Sequence, residues 1–120
     1  MFTRMLTTAS LLSLLASGAA FAHAYPQHES PAKGATVTTA PTTLWIEFDD
    51  ELEPAFTGVT VLDAKGARVD DGNATVSKTD VHHLSVGLKP LAAGTYTVKW
   101  HATDTDTHKT HGSYTFTVAG

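Results

Sequence analysis

Asp106 and His108 stand one residue apart in a polar stretch, Thr103-Asp104-Thr105-Asp106-Thr107-His108-Lys109-Thr110-His111-Gly112. A carboxylate and an imidazole at i and i+2 can face one point and so share a metal ion. Two donors are too few to hold a transition metal tightly, so further ligands must come from elsewhere in the chain. Cysteine cannot supply them, because there is none. Histidine can: all seven lie between His23 and His111.

His23 is the most informative of them. Residues 1–22 carry a positive charge at Arg4, a short apolar run rich in Leu from Leu6 to Leu15, and Ala20-Phe21-Ala22. That order reads as a secretory signal peptide with an A-x-A cleavage site, and its apolar run is too short for a membrane-spanning helix. Cleavage after Ala22 would leave a domain at residues 23–120 with His23 at its N-terminus. An N-terminal histidine offers two nitrogens, the α-amine and imidazole Nδ1, which close a chelate ring on one metal. With a reference pKa of about 7.7–8.0, the amine frees its lone pair far more easily than a lysine does. Adding His108 and Asp106 gives three nitrogens and one oxygen. A mixed set of this kind suits tetragonal Cu(II), which also heads the divalent affinity order. Zinc accepts the same donor types. The two methionines, Met1 and Met5, would leave with the signal, so no soft sulfur donor would remain for Cu(I).

The stretch holding Asp106 and His108 is flanked by two alternating runs. Tyr96, Val98 and Trp100 fall on one parity before it, and Tyr114, Phe116 and Val118 on one parity after it. Period two marks half-buried strands, so the stretch is expected to be a hairpin loop at one end of a sheet. Leu44, Ile46 and Phe48 give a further strand, ending in the acidic run Asp49-Asp50-Glu51. Val59 to Leu62 and His83 to Leu88 give two more, and Arg68 to Ser77 a weaker one interrupted by Asp70-Asp71-Gly72-Asn73. Pro26 and Pro31 confine His23 to Ser30 to an edge strand. Tyr96, entering its strand after Leu91-Ala92-Ala93-Gly94, is placed for a tyrosine-corner hydrogen bond to upstream backbone. No sustained helical periodicity follows Ala22. The pattern predicts an all-β fold, a small Ig-like Greek-key sandwich or barrel of about seven strands. The formal net charge of −4 argues against nucleic acid or an anionic membrane as partner and permits cation binding.

Several of these residues together resemble the CopC family of periplasmic copper-binding proteins. They are His23 after the cleavage site, Ser30-Pro31-Ala32 with Gly34, the acidic end of the Phe48 strand, Gly94 to Trp100, Asp106-Thr107-His108, Gly112-Ser113 and Phe116-Thr117-Val118. The resemblance spans the whole of residues 23–120. It implies a small Ig-like β fold and one Cu(II) ion per mature chain, held by His23 (amine and imidazole), Asp106 and His108. It also implies a role in copper sequestration, resistance or delivery, with an inner-membrane copper transporter as partner and the protein itself a periplasmic monomer. Asp50 falls where relatives can carry an acidic residue near the metal, outside the ligand set. His111, three residues past His108, could reach the metal or only bond nearby. His28 and His101 lie outside the matched ligands and are read as solvated; His82 and His83, adjacent and so facing opposite sides of a strand, cannot both line one site and are read as surface residues. The chain departs from the family in lacking the Met-rich segment of some members, and in carrying Pro26, His101 and His111 where other residue types are usual. No catalytic triad or paired-carboxylate arrangement is apparent, so a carrier is favoured over an enzyme. Two rivals remain. An amine-plus-imidazole copper centre also occurs in copper-dependent oxidases and oxygenases, and an Ig-like fold can serve as a metal-free interaction module.

Overall fold

The computed structural model describes residues 23–120, so the expected signal peptide lies outside the described residues. Eight strands run in chain order: β1 (Pro26–Ser30), β2 (Thr36–Val37), β3 (Thr43–Phe48), β4 (Gly58–Leu62), β5 (Thr75–Val76), β6 (His83–Gly87), β7 (Gly94–Thr103) and β8 (Lys109–Val118). A single 3-10 turn, Pro54–Phe56, precedes β4. The strands form two four-stranded sheets, ordered β1-β3-β6-β5 and β2-β8-β7-β4. All pairings are antiparallel except β2 with β8. This is the expected small β-sandwich.

The alternation seen in the sequence sets which side chains meet between the sheets. Leu44, Ile46 and Phe48 of β3 and Leu84 and Val86 of β6 face Val59 and Val61 of β4, Tyr96, Val98 and Trp100 of β7, and Tyr114, Phe116 and Val118 of β8, all buried. Burying each such side chain contributes about 1.5–3 kcal/mol, which is what holds two short sheets face to face. Two aromatic contacts anchor the layer. Phe48 meets Trp100 edge to face at 5.3 Å, and Tyr96 stacks on Phe116 at 5.4 Å. The Trp100 indole lies flat across Gly112, its cross-strand partner, where a Cβ would come within 2.7 Å of the ring. The expected tyrosine corner is present, with the Tyr96 hydroxyl donating to the Ala92 carbonyl at 2.5 Å.

Three expectations need correction. The stretch from Arg68 to Ser77 is not one interrupted strand. Arg68 and Asp70 make isolated bridges, and only Thr75–Val76 is a strand. The cause is Asp70, whose buried carboxylate accepts from the amides of Val61 and Gly72 and from Arg68 Nε, pulling the chain inward. The loop holding Asp106 and His108 is also shorter than expected. β7 runs to Thr103 and β8 starts at Lys109, so His111 sits on a strand, opposite His101. Finally, His82 and His83, expected simply at the surface, are half-buried and bonded: His82 Nδ1 lies 3.2 Å from the Phe48 carbonyl oxygen and His83 Nδ1 2.7 Å from Glu47 Oε2.

Candidate metal centre

The β7–β8 hairpin closes through Thr105, Asp106 and Thr107. Thr107 N–H donates to the Asp104 carbonyl at 3.1 Å and Asp104 N–H to the His108 carbonyl at 3.0 Å. Thr107 follows the turn with φ at +68°. A three-residue hairpin loop needs a left-handed residue at that point, usually glycine. Here a β-branched threonine takes it, against the ordinary steric preference. The consequence is a tight loop that presents Asp106 and His108 side by side, both exposed.

Asp104 holds this loop together from inside. Its side chain is fully buried. Oδ1 accepts the amide N–H of Asp106 at 2.8 Å and of His108 at 2.9 Å, while Oδ2 lies 2.9 Å from His108 Nδ1. Since a carboxylate can only accept, Nδ1 carries the hydrogen and Nε2 keeps its lone pair free for a ligand. Burial pushes the Asp104 carboxyl up, but the His108 amide, the imidazole and the Asp106 amide outweigh it and hold it below the usual carboxylate range. The same contact acts on His108 in reverse. The hydrogen bond and charge of Asp104 raise its imidazole above the ordinary value, with smaller contributions in that direction from Asp106 and Asp50. Asp50 is therefore close enough for its charge to be felt at the imidazole.

Asp104, Asp106 and His108 each offer a ligand atom within 4.8 Å of the others. Asp104 has three hydrogen bonds to keep, so it serves as the orienting group rather than a donor. Asp104 is not among the residues expected at the site, although its parity marks it as inward-facing. Val98, Trp100 and Ala102 set the inward parity of β7, and Asp104 continues it.

His23 reaches the same end of the sandwich by a separate route. Ala24 is buried, and its carbonyl accepts from Thr110 Oγ1 at 2.7 Å, near the start of β8. Tyr25 N–H donates to Asp49 Oδ1 at 2.7 Å, and Asp49 N–H to the Tyr25 carbonyl at 2.9 Å. His23 itself is exposed, its Nδ1 3.7 Å from Asp49 Oδ2. Leu52 bridges to Asp104, which ties the acidic run after β3 to the hairpin loop. The His23–Tyr25 segment, the Asp49-Asp50 run and the Asp104–His108 loop thus converge on one end. Asp49, not among the expected site residues, is the group beside His23. His111 lies on the outer face of β8 with His101, Phe56 and Lys109 lining a shallow groove, outside the Asp104–Asp106–His108 group.

Comparison with known proteins agrees with the fold. The CopC domain family matches residues 27–119. The chain is 37% identical over 111 residues to Protein YobA of Escherichia coli (strain K12), covering 92% of this chain and 90% of that protein. Its fold is similar to the crystal structure of CopC from Methylosinus trichosporium OB3b, with a TM-score of 0.75 and 29% identity over 81% of this chain and 94% of that one. It is also similar to the structure of PcoC, a methionine-rich copper resistance protein from Escherichia coli, with a TM-score of 0.67 and 32% identity over 81% of this chain and 99% of that one.

Proposed function

The chain belongs to the CopC family, and from that premise we propose that it is a periplasmic carrier of Cu(II), one ion per processed chain, serving copper sequestration, resistance or delivery to an inner-membrane transporter. The ligands in this reading are the α-amine and Nδ1 of His23, Nε2 of His108 and a carboxylate oxygen of Asp106. The observation that carries it is the Asp104–His108 contact at 2.9 Å. A buried carboxylate that fixes the tautomer of an exposed imidazole is the usual support of a metal-ligating histidine, and a solvated loop histidine has no need of one. The description of PcoC as a copper resistance protein favours copper among the metals that would accept these donors.

Each residue has a separate task. Asp104 keeps the hydrogen on Nδ1 of His108, so that Nε2 meets the ion. Asp106 adds an anionic oxygen and offsets the ion's charge. Asp50 adds negative potential near the imidazole without taking part as a ligand. Asp49 holds the backbone of Tyr25 and so aims the chain start. The donors are nitrogen and oxygen only, so Cu(II) is preferred over Zn(II), and reduction to Cu(I) promotes release. Copper is the cargo in this reading, and the protein carries out no reaction on it.

The test is a titration of the chain beginning at His23 with one equivalent of Cu(II), followed by EPR. The expected spectrum is that of nitrogen-ligated copper, with no displacement by Zn(II) at comparable concentration and no oxygen consumption on adding reductant. A spectrum of aqueous copper would favour a metal-free interaction module, and sustained turnover an oxidase or oxygenase.

A further inference from the structure

A second group of donors lies on the outer face of the other sheet. Glu47, Asp80 and His83 each offer a ligand atom within 4.8 Å of the others. Three independent constraints bring them together. Glu47 on β3 is the register partner of His83 on β6, and its neighbours Ile46 and Phe48 face the core, which turns Glu47 outward. Asp80 and His83 are the two ends of one turn: His83 N–H donates to the Asp80 carbonyl at 3.0 Å, and His82 N–H to Asp80 Oδ1 at 3.1 Å. Residues i and i+3 of such a turn are necessarily close. Trp45, two residues before Glu47 on the same face, stacks on the His83 ring at 5.5 Å and 26°, which fixes the ring plane. On the far side of Glu47, His28 of β1 is its register partner. Directly opposed residues share a face with Cβ atoms about 4.5–5.5 Å apart. The row His28–Glu47–His83 therefore crosses three strands with Asp80 beside it.

We propose that Glu47, Asp80 and His83, with His28 as the fourth donor, form a second divalent-cation site on the β1-β3-β6 face, taking a borderline ion of the Zn(II) and Cu(II) class. The donor set is two imidazole nitrogens and two carboxylate oxygens, the types these ions accept at about 2.0–2.2 Å. An ordinary surface ion pair would explain His83 with Glu47, whose Nδ1–Oε2 distance is 2.7 Å. It does not explain the second carboxylate. Among the described residues His83 is the only cationic group at ion-pair distance from Glu47, and none stands at that distance from Asp80. Two acid groups thus crowd one imidazole with no Lys or Arg between them, and a divalent ion offsets that charge. On binding, the ion takes the place of the hydrogen between His83 Nδ1 and Glu47 Oε2, and that proton leaves to solvent. No donor comes from the chain start, so this site does not depend on processing after Ala22.

The test uses Zn(II) as a diamagnetic probe on the chain carrying His23→Ala, Asp106→Ala and His108→Ala, so that the outcome is independent of the copper reading. One equivalent of Zn(II) is expected to bind, with ring nitrogen shifts at His83 and His28 in long-range proton–nitrogen spectra and none at His101 or His111. Glu47→Gln should weaken this binding at least about tenfold, the scale on which even supporting groups act. Asp80→Asn, which keeps an acceptor for His82 N–H and so keeps the turn, should do the same. Well-dispersed amide spectra of both variants serve as the check on folding. Zn(II) that leaves the His83 ring unshifted, or that binds Glu47→Gln as tightly as the parent, would overturn the proposal.

Discussion

Asp104→Asn separates the two tasks of the buried carboxylate. Asparagine keeps one oxygen, which can go on accepting the amides of Asp106 and His108 now bonded at 2.8 and 2.9 Å. The hairpin loop should survive. The other oxygen becomes an NH2 facing His108 Nδ1 across what is now a 2.9 Å contact. Two donors cannot face each other, so the imidazole must shift its hydrogen to Nε2, the atom that would bind the metal. Changes of this kind around a metal ligand typically cost about 10- to 100-fold in affinity, or about 1.4–2.8 kcal/mol. The pH dependence should move as well. Asp104 raises His108 above its ordinary 6.5, so copper competes with protons on this ring from a higher pH than at a free histidine. In the variant that competition should begin at lower pH. The sign for stability follows the same shifts. In the parent the raised His108 contributes fully below about pH 6.5, and its contribution is lost as pH rises through the folded-state value. Asp104, lowered from 3.8, contributes above that value and is lost as pH falls through its folded-state value. The assay is Cu(II) competition across pH, with nitrogen shifts of the metal-free His108 ring to report its tautomer. Asp104→Ala is the contrast: it leaves two loop amides without an acceptor and should cost about 1–3 kcal/mol for each buried group left unpaired. An Asp104→Asn variant that keeps the hydrogen on Nδ1 and binds Cu(II) like the parent would show that Asp104 does not set the His108 tautomer.

Further predictions concern the loop and the strands that carry it. Asp106→Ala should leave denaturation curves within about 0.5 kcal/mol of the parent, because Asp106 is exposed, while Cu(II) competition should show at least about a tenfold loss. Thr107→Gly should relieve the left-handed strain of about 1–2 kcal/mol against an entropy cost of about 0.5–1 kcal/mol. A small net stabilisation in urea titrations is the expected result, and a clear destabilisation would show that the threonine side chain contributes to the loop. Gly112→Ala would set a methyl within 2.7 Å of the Trp100 ring, whose edge-to-face contact with Phe48 any shift of the ring would disturb. A loss of about 1–3 kcal/mol is expected, and calorimetry should show Tm falling by about 4–8 °C for each kcal/mol lost.

The strands that build the core were legible because each is half-buried and alternates. β3, β7 and β8 each place three or more core side chains on one parity, and the tyrosine corner followed from Tyr96 behind a Gly-containing turn. β2 and β5 were not legible as strands, since two residues cannot show a period. The segment from Arg68 to Ser77 misled because Asp70 is a buried acid, and its partners, the Val61 and Gly72 amides, are fixed only by the fold. At the site, Asp106 and His108 stand out by spacing and His23 by its place after Ala22. Asp104 could be read as buried only by extending the β7 parity one step beyond its apolar residues. The row His28–Glu47–His83 depends on the register of three strands, with a shift between Pro26 and His28, and no local pattern encodes a register between distant segments.

In the proposed copper site, processing after Ala22 is what completes the ligand set, because only then does His23 offer an amine beside its imidazole. The direct measurement compares the chain beginning at His23 with the same chain bearing one added N-terminal glycine, by Cu(II) competition and EPR at matched pH. The added residue should leave the fold unchanged, alter the EPR spectrum and weaken binding at least about tenfold, as loss of a direct ligand should exceed that of a supporting group. Equal affinities and superimposable spectra would contradict this expectation.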